Sequence, residues 1–127
     1  MALFERSGLE QYSGDISERW GQSGSDVKNL SSGVTGSDVT ILTVTAGKTL
    51  YINQVSVQAL AAGGAGDSLA ITDGSGGAGK ISLDLANSSA GEWFVFNFKT
   101  PLFFNSSFYA DQSNTINVNV YAQGWEE

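Results

Sequence analysis

The chain has 127 residues and a net charge of −7, and it contains neither cysteine nor histidine. Disulfides and thiolate chemistry are therefore excluded, and the commonest general base and transition-metal ligand is missing. The six basic residues are scattered along an acidic chain, so phosphate-driven binding to nucleic acid is not expected. Hydrophobic residues make up 41% of the sequence, which is enough for the core of one domain.

Residues 1–37 differ in composition from the rest of the chain. Apolar residues are sparse there, and repeated glycines interrupt any long helix. Two interpretations stay open: a disordered tail, or an arm that orders against a partner. The second interpretation uses Phe4, Tyr12 and Trp20 as anchors, because aromatic side chains are favoured at interfaces. No long apolar run predicts a signal peptide or a membrane span, so we expect synthesis in the cytosol.

From residue 38 onward the sequence predicts about eight short β-strands. Alternating or β-branched runs place seven of them at 38–45, 49–59, 68–72, 80–85, 102–104, 108–111 and 116–122. The apolar phase of the second run shifts by one residue near Asn53, which predicts a β-bulge. Asp73-Gly74 begins a glycine-rich turn that predicts a hairpin between the third and fourth runs.

The segment 91–104 carries the strongest strand signal, and its part before Thr100-Pro101 supplies the remaining strand. Phe94, Phe96 and Phe98 recur with a period of two, which predicts one buried face that fills much of a small core. Pro101 is expected to end this strand, since proline cannot donate a hydrogen bond to a ladder.

The predicted fold is all-β, an antiparallel β-sandwich or jelly roll of about eight short strands. Residues 38–127 form the sandwich domain in this prediction, and residues 1–37 form an extended N-terminal arm that is partly disordered or ordered by a partner. A partly open small barrel is the alternative architecture.

Candidates for catalysis or metal binding are weak. The glycine-rich turn at 73–77 offers one carboxylate, whereas Ca²⁺ takes six to eight oxygen ligands, so a flexible turn is the preferred interpretation. Asp84 and Glu92 lie near strand ends and could form the carboxylate pair of a glycoside hydrolase, although nothing in the sequence selects this pair. We therefore predict no enzymatic activity, no catalytic residue, no cofactor and no metal.

Five tyrosine and tryptophan residues are candidates of another kind: Tyr51, Trp93, Tyr109, Tyr121 and Trp125. If they are exposed on a sandwich, such side chains can stack on sugar rings through their amphipathic surface. If they are covered, they serve as core or as subunit contacts, which is the commoner fate of large aromatic residues. The direction in which they point distinguishes the two interpretations.

Three motifs resemble small structural proteins of tailed bacteriophages. They are VTAGKTLYI at 44–52, TPLFF at 100–104, and GWEE at 124–127 after an alternating strand. The resemblance covers residues 38–127 and includes jelly-roll-like capsid decoration (cement) proteins of the virion; tail and fibre domains share these features.

The resemblance implies a non-enzymatic virion protein that decorates and stabilises the outside of a capsid as a homotrimer. Its partners would be copies of itself and the major capsid protein, with no nucleic acid and no membrane, after synthesis in the host cytoplasm. The arm, with Phe4, Tyr12 and Trp20, would contact the neighbouring subunit or the capsid. The alternative is a carbohydrate- or receptor-binding module of a tail or fibre.

Overall fold

The computed structural model describes residues 26–35, 37–113 and 116–127, and these residues form eight β-strands and no helix. The strands are β1 (Asp26–Val34), β2 (Val39–Thr43), β3 (Leu50–Ala59), β4 (Ser68–Asp73), β5 (Gly79–Asp84), β6 (Trp93–Phe104), β7 (Ser107–Ser113) and β8 (Val118–Glu126). Phe4, Tyr12 and Trp20 lie outside the described residues. Nowhere in the described ranges is there a helix long and apolar enough to cross a membrane.

The strands form two four-stranded sheets that pack face to face. The first sheet has the order β1-β8-β3-β6 and the second has the order β2-β7-β4-β5. All of the paired strands are antiparallel. This order is that of an eight-stranded jelly roll, so the predicted all-β sandwich is confirmed.

The hydrophobic core lies between the two sheets and uses alternate residues of each strand. The fully buried side chains include Val34, Leu50, Ile52, Val55, Val57, Leu69, Ile71, Leu85, Phe104, Phe108 and Val118. Phe104 and Phe108 meet edge to face, with ring centroids 5.1 Å apart. Each large apolar side chain contributes about 1.5–3 kcal/mol when it is fully buried, so these buried side chains supply most of the stability of the fold.

The predicted bulge in β3 is present. Against β8 the register shifts between Ile52 and Gln54 and leaves Asn53 as the extra residue. Against β6 the shift at the same place leaves residues 98–101 of β6 opposite Asn53. Gly124 of β8 lies directly beside this bulge, paired with Ile52. A Cβ atom at position 124 would collide with the carbonyl oxygen of Tyr51, so the bulge requires glycine there.

Three strand predictions need correction. Residues 26–34 form β1 within the first sheet, so the sandwich begins inside the segment predicted as an arm. β8 continues to Glu126, beyond the predicted end at residue 122. β6 runs through Pro101 without ending, because residues 98–101 lie in an interruption of the ladder with β3 and β6 is an edge strand among the described strands, so no ladder bond requires the missing N–H group.

The prediction that three phenylalanines fill the core is correct in direction and wrong in extent. Phe94, Phe96 and Phe98 point inward and pack against the core, but each is only half-buried. The physical reason is the edge position of β6, since none of the described strands lies beyond it in the first sheet.

Candidate binding surfaces

The outer face of the first sheet carries a regular array of aromatic and amide side chains, which we call the aromatic–amide face. Residues directly opposite each other on paired strands share one face of a sheet. The register therefore places four rows of four residues on this face: Val27, Trp125, Tyr51 and Phe103; Asn29, Gln123, Gln54 and Asn97; Ser31, Tyr121, Ser56 and Val95; Gly33, Asn119, Gln58 and Trp93.

Two aromatic pairs lie on this face. Tyr51 and Trp125 are stacked, with ring centroids 5.4 Å apart and an interplanar angle of 21°. Trp93 and Tyr121 lie 5.6 Å apart at an angle of 33°. Trp93 is 51% exposed and Tyr121 is 36% exposed, so this second pair presents open ring surface to solvent. Four of the five aromatic residues singled out in the sequence therefore meet on one face.

A row of four side-chain amides separates the two aromatic pairs. Gln54 Nε2 donates to Asn97 Oδ1 at 2.9 Å, and Gln123 Nε2 donates to Asn29 Oδ1 at 3.4 Å. A primary amide has two N–H donors and an oxygen with two lone pairs. These two bonds use one donor of each glutamine, so both glutamines keep a second N–H group and an acceptor oxygen for another partner.

The amide row lies between two shallow depressions. One has a volume of about 300 Å³ and is lined by Asn29, Leu30, Ser31, Gln54, Ser56, Tyr121, Ala122 and Gln123. The other has a volume of about 470 Å³ and is lined by Asn53, Gln54, Asn97, Phe98, Lys99 and Gln123. Gln54 and Gln123 line both, so the central amides form a ridge that is accessible from either side.

No row of the aromatic–amide face contains a charged residue, although the chain as a whole carries a net charge of −7. Positive groups lie at its border. The Lys80 ammonium is 4.3 Å from the centre of the Phe103 ring, and Lys99 lines the larger depression beside the amides. The face is therefore polar without being charged.

Tyr109 is the aromatic candidate that lies elsewhere. It belongs to β7 of the second sheet, where its hydroxyl donates to Asp38 Oδ2 at 3.4 Å. Its neighbours in register are Thr40 and Thr72, and Asp111 lies two residues along the same strand. The second sheet thus surrounds its tyrosine with small, polar and acidic residues.

The two lateral sides of the sandwich differ in closure. The edge strands β1 and β2 approach each other on one side, beside the short connection 35–38 that joins them, and β5 and β6 approach each other less on the opposite side. Apolar side chains of these two strands and their surroundings remain half-buried there, and we call this surface the open side: Ile81, Leu83, Phe94, Phe96, Phe98 and Leu102.

The structure brings the carboxylates of Asp84 and Glu92 to one small depression of about 210 Å³. Each carboxylate is engaged in a turn. Asp84 Oδ1 accepts from the N–H of Ala86 at 2.9 Å, and Glu92 Oε1 accepts from the N–H of Ser89 at 2.8 Å. These hydrogen bonds assign each carboxylate a role in stabilising its own turn.

The Asp73 carboxylate fastens one turn to another. It accepts from the backbone N–H groups of Asn105, Ser106 and Ser107 at 2.8–3.2 Å. Partial burial tends to raise the pKa of Asp73, but these three bonds and the nearby Lys80 outweigh it, so the pKa lies below its usual value. The described residues include no group of three or more acidic side chains placed to hold a metal ion.

No protein-family model and no curated protein matches this chain. The surfaces must therefore be interpreted from their own chemistry. Sequence reasoning missed the amide row, because Asn29, Gln54, Asn97 and Gln123 are ordinary polar positions in their separate strands. Their meeting depends on the order β1-β8-β3-β6, which no local pattern specifies.

Proposed function

We propose that this protein is a non-enzymatic structural component of a tailed-phage virion, of the capsid decoration type. In this proposal it assembles as a homotrimer, binds the major capsid protein and stabilises the outside of the capsid. The sequence resemblance over residues 38–127 supports the proposal, and so does the jelly-roll strand order.

The observation that carries the proposal is the open side. Phe94, Phe96 and Phe98 occupy three inward positions of one edge strand, yet none of them is fully buried. Apolar area removed from water stabilises by about 25 cal/mol per Å², so covering these rings with another chain would be favourable. A lone domain leaves these rings partly in contact with water. In an assembly, a neighbouring subunit could cover them and stabilise the complex.

The first experiment is the native mass of the purified chain, by light scattering on a sizing column at two concentrations. We expect a mass near three times the 13.3 kDa of the chain. A monomer at both concentrations would contradict self-assembly in solution and favour the alternative, a carbohydrate- or receptor-binding module of a tail or fibre.

Two neighbouring residues of β6 provide a matched pair of variants. Phe96 points inward to the open side, and Val95 points outward and is 55% exposed. We expect Phe96→Glu to lower the native mass to that of a monomer, because a buried unpaired charge opposes association. Val95→Glu should leave the mass unchanged. Equal loss in both variants would assign the interface to the outer face instead.

Capsid binding is tested with empty capsids assembled from the major capsid protein of the same phage. We expect the full-length chain to co-sediment with them. Replacement of Phe4, Tyr12 and Trp20 by alanine should abolish co-sedimentation and leave the circular dichroism of the sandwich unchanged. A deletion must stop at residue 25, because β1 begins at Asp26. Unchanged co-sedimentation of the triple variant would exclude the arm as the capsid contact.

A further inference from the structure

We propose that the aromatic–amide face binds an uncharged glycan. The inference does not rest on the capsid proposal, because glycan binding by the purified chain is measured without a virion. It rests on three features that occur together on one sheet: open aromatic ring surface, a row of side-chain amides and the absence of charge.

The aromatic pairs supply the stacking surface. A sugar ring has an apolar face formed by its C–H groups, and tyrosine and tryptophan combine an apolar body with a polar group. Trp93 and Tyr121 present open ring surface on one side of the amide row, and Tyr51 and Trp125 are stacked on the other side. Trp93 and Tyr121 therefore form the open platform, and the partly buried Tyr51 and Trp125 extend the aromatic surface beyond the amide row, which suits a chain of linked sugars.

The amide row supplies hydrogen bonds of both kinds. Sugar hydroxyls donate and accept, and a side-chain amide does both with neighbouring atoms. Gln54 and Gln123 each keep a donor and an acceptor after bonding to Asn97 and Asn29. The depressions on either side of them, of about 300 and 470 Å³, are in the size range of small-molecule sites.

The distribution of charge selects the class of glycan. A sialylated or sulfated glycan would require basic residues among its contacts, and the four rows contain none. Lys80 lies at the border, beside Phe103, and Lys99 is a single basic residue at the larger depression, which offers an anion one positive contact. The rest of this strongly acidic chain would repel an anion at longer range. A neutral oligosaccharide needs no basic contact and is not repelled by the net negative charge.

A second copy of the chain is the competing occupant of this face. Two such faces would place amide against amide and would bury many polar groups that need new partners. The open side has no such cost, since its uncovered residues are apolar. Self-association is therefore assigned to the open side and glycan binding to the aromatic–amide face.

The test uses the full-length chain on an array of neutral, sialylated and sulfated oligosaccharides, followed by calorimetric titration with chitotetraose, maltotetraose and the strongest neutral compound on the array. We expect binding to at least one neutral oligosaccharide and weaker or no binding to its sialylated counterpart. If no neutral oligosaccharide binds, or if only charged ones bind, the proposal is overturned.

Variants locate the site. We expect Trp93→Ala and Tyr121→Ala each to weaken binding by about tenfold, from the loss of a stacking contact. Gln54→Ala should weaken it several-fold. Tyr109→Ala, a tyrosine on the outer face of the second sheet, is the matched control and should bind as the unaltered chain does.

Two results would move the site away from this face. Equal weakening in Tyr109→Ala and Tyr121→Ala would show a nonspecific effect and overturn the assignment. A lower native mass in Trp93→Ala, together with unchanged glycan binding, would make the face a subunit contact. Failure of capsid co-sedimentation with retained glycan binding would overturn only the decoration role.

Discussion

Both sides of the sandwich keep half-buried apolar residues, but those of the closed side are aliphatic and those of the open side include three phenylalanine rings. On the closed side β1 and β2 approach each other and Val34 is fully buried, while Leu30, Val39, Ile41 and Leu42 are half-buried. On the open side the inward residues of β6 are half-exposed. Within β6 itself Phe104 is 0% exposed whereas Phe96 is not buried, so position relative to neighbouring strands, and not hydrophobicity, determines burial.

The largest expected effect comes from comparing two phenylalanines of this one strand. Phe104→Ala should lower the free energy of unfolding by about 3–5 kcal/mol, because it removes a fully buried ring in edge-to-face contact with Phe108. Phe96→Ala should cost about 1–2 kcal/mol at concentrations where the chain is monomeric, since half of its burial is missing. Urea denaturation of both variants measures the difference.

Protein concentration sharpens this comparison. If the open side is a subunit interface, the cost of Phe96→Ala rises with concentration, because association stabilises only the folded chain that retains the ring. The cost of Phe104→Ala should change much less. Equal costs for the two variants at all concentrations would remove the distinction between the two sides.

Glu126 provides the next largest effect. This carboxylate is 1% exposed and accepts from the N–H and the hydroxyl of Thr45 at 2.9 and 2.8 Å, which joins the end of β8 to the segment after β2. Glu126→Ala removes the acceptor of both Thr45 donors and the carboxylate that lies 4.0 Å from the Lys28 ammonium, so we expect a loss of about 2–3 kcal/mol in the free energy of unfolding. Thr45→Ser keeps both donors and is the control; a loss as large as that of Glu126→Ala would show that the hydrogen bonds are not the cause.

Asp73 gives a smaller and pH-dependent effect. Because its pKa is lower in the folded than in the unfolded chain, its stabilisation is complete above the unfolded pKa of about 3.9 and declines as pH falls toward the folded pKa. We expect Asp73→Asn to lower the free energy of unfolding by about 1–2 kcal/mol at neutral pH, where the carboxylate is ionised. The difference should shrink as pH falls below the unfolded pKa and toward the lower folded pKa. A difference that is independent of pH would assign the effect to packing.

Local patterns predicted most strands and failed where an edge position decided the outcome. The bulge at Asn53 could be predicted because the apolar phase of the sequence shifts there. The Asp73-Gly74 turn could be predicted from its residue types. β1 was missed because its sequence, DVKNLSSGV, is polar at most positions and pairs on one side only. The prediction that Pro101 ends β6 was wrong for the same reason, since an edge strand tolerates residues without a paired N–H group.

Only the aromatic residues of the candidate site could be identified from the sequence. Tyr51, Trp93, Tyr121 and Trp125 stood out by residue type, but their common face depends on which strands are neighbours. The amides of the central row had no signal of their own, because asparagine and glutamine are common on exposed strand positions. Long-range pairing, which places residues far apart in sequence side by side, is the information that periodicity lacks.

The smallest expected effect concerns Lys80, whose side chain reaches from β5 in the second sheet to Phe103 on β6 in the first. Its ammonium lies 4.3 Å from the centre of the Phe103 ring, and that ring is 50% exposed. Lys80→Met keeps the apolar stem and removes the cation, so the free energy of unfolding should fall by only about 0.5–1 kcal/mol. Lys48→Met, in the exposed turn after β2, is the control and should have no measurable effect. The double variant Lys80→Met/Phe103→Leu tests whether the cation acts through the ring. If its effect equals the sum of the two single effects, the cation and the ring do not interact. The sheets would then be joined on the open side by their apolar contacts.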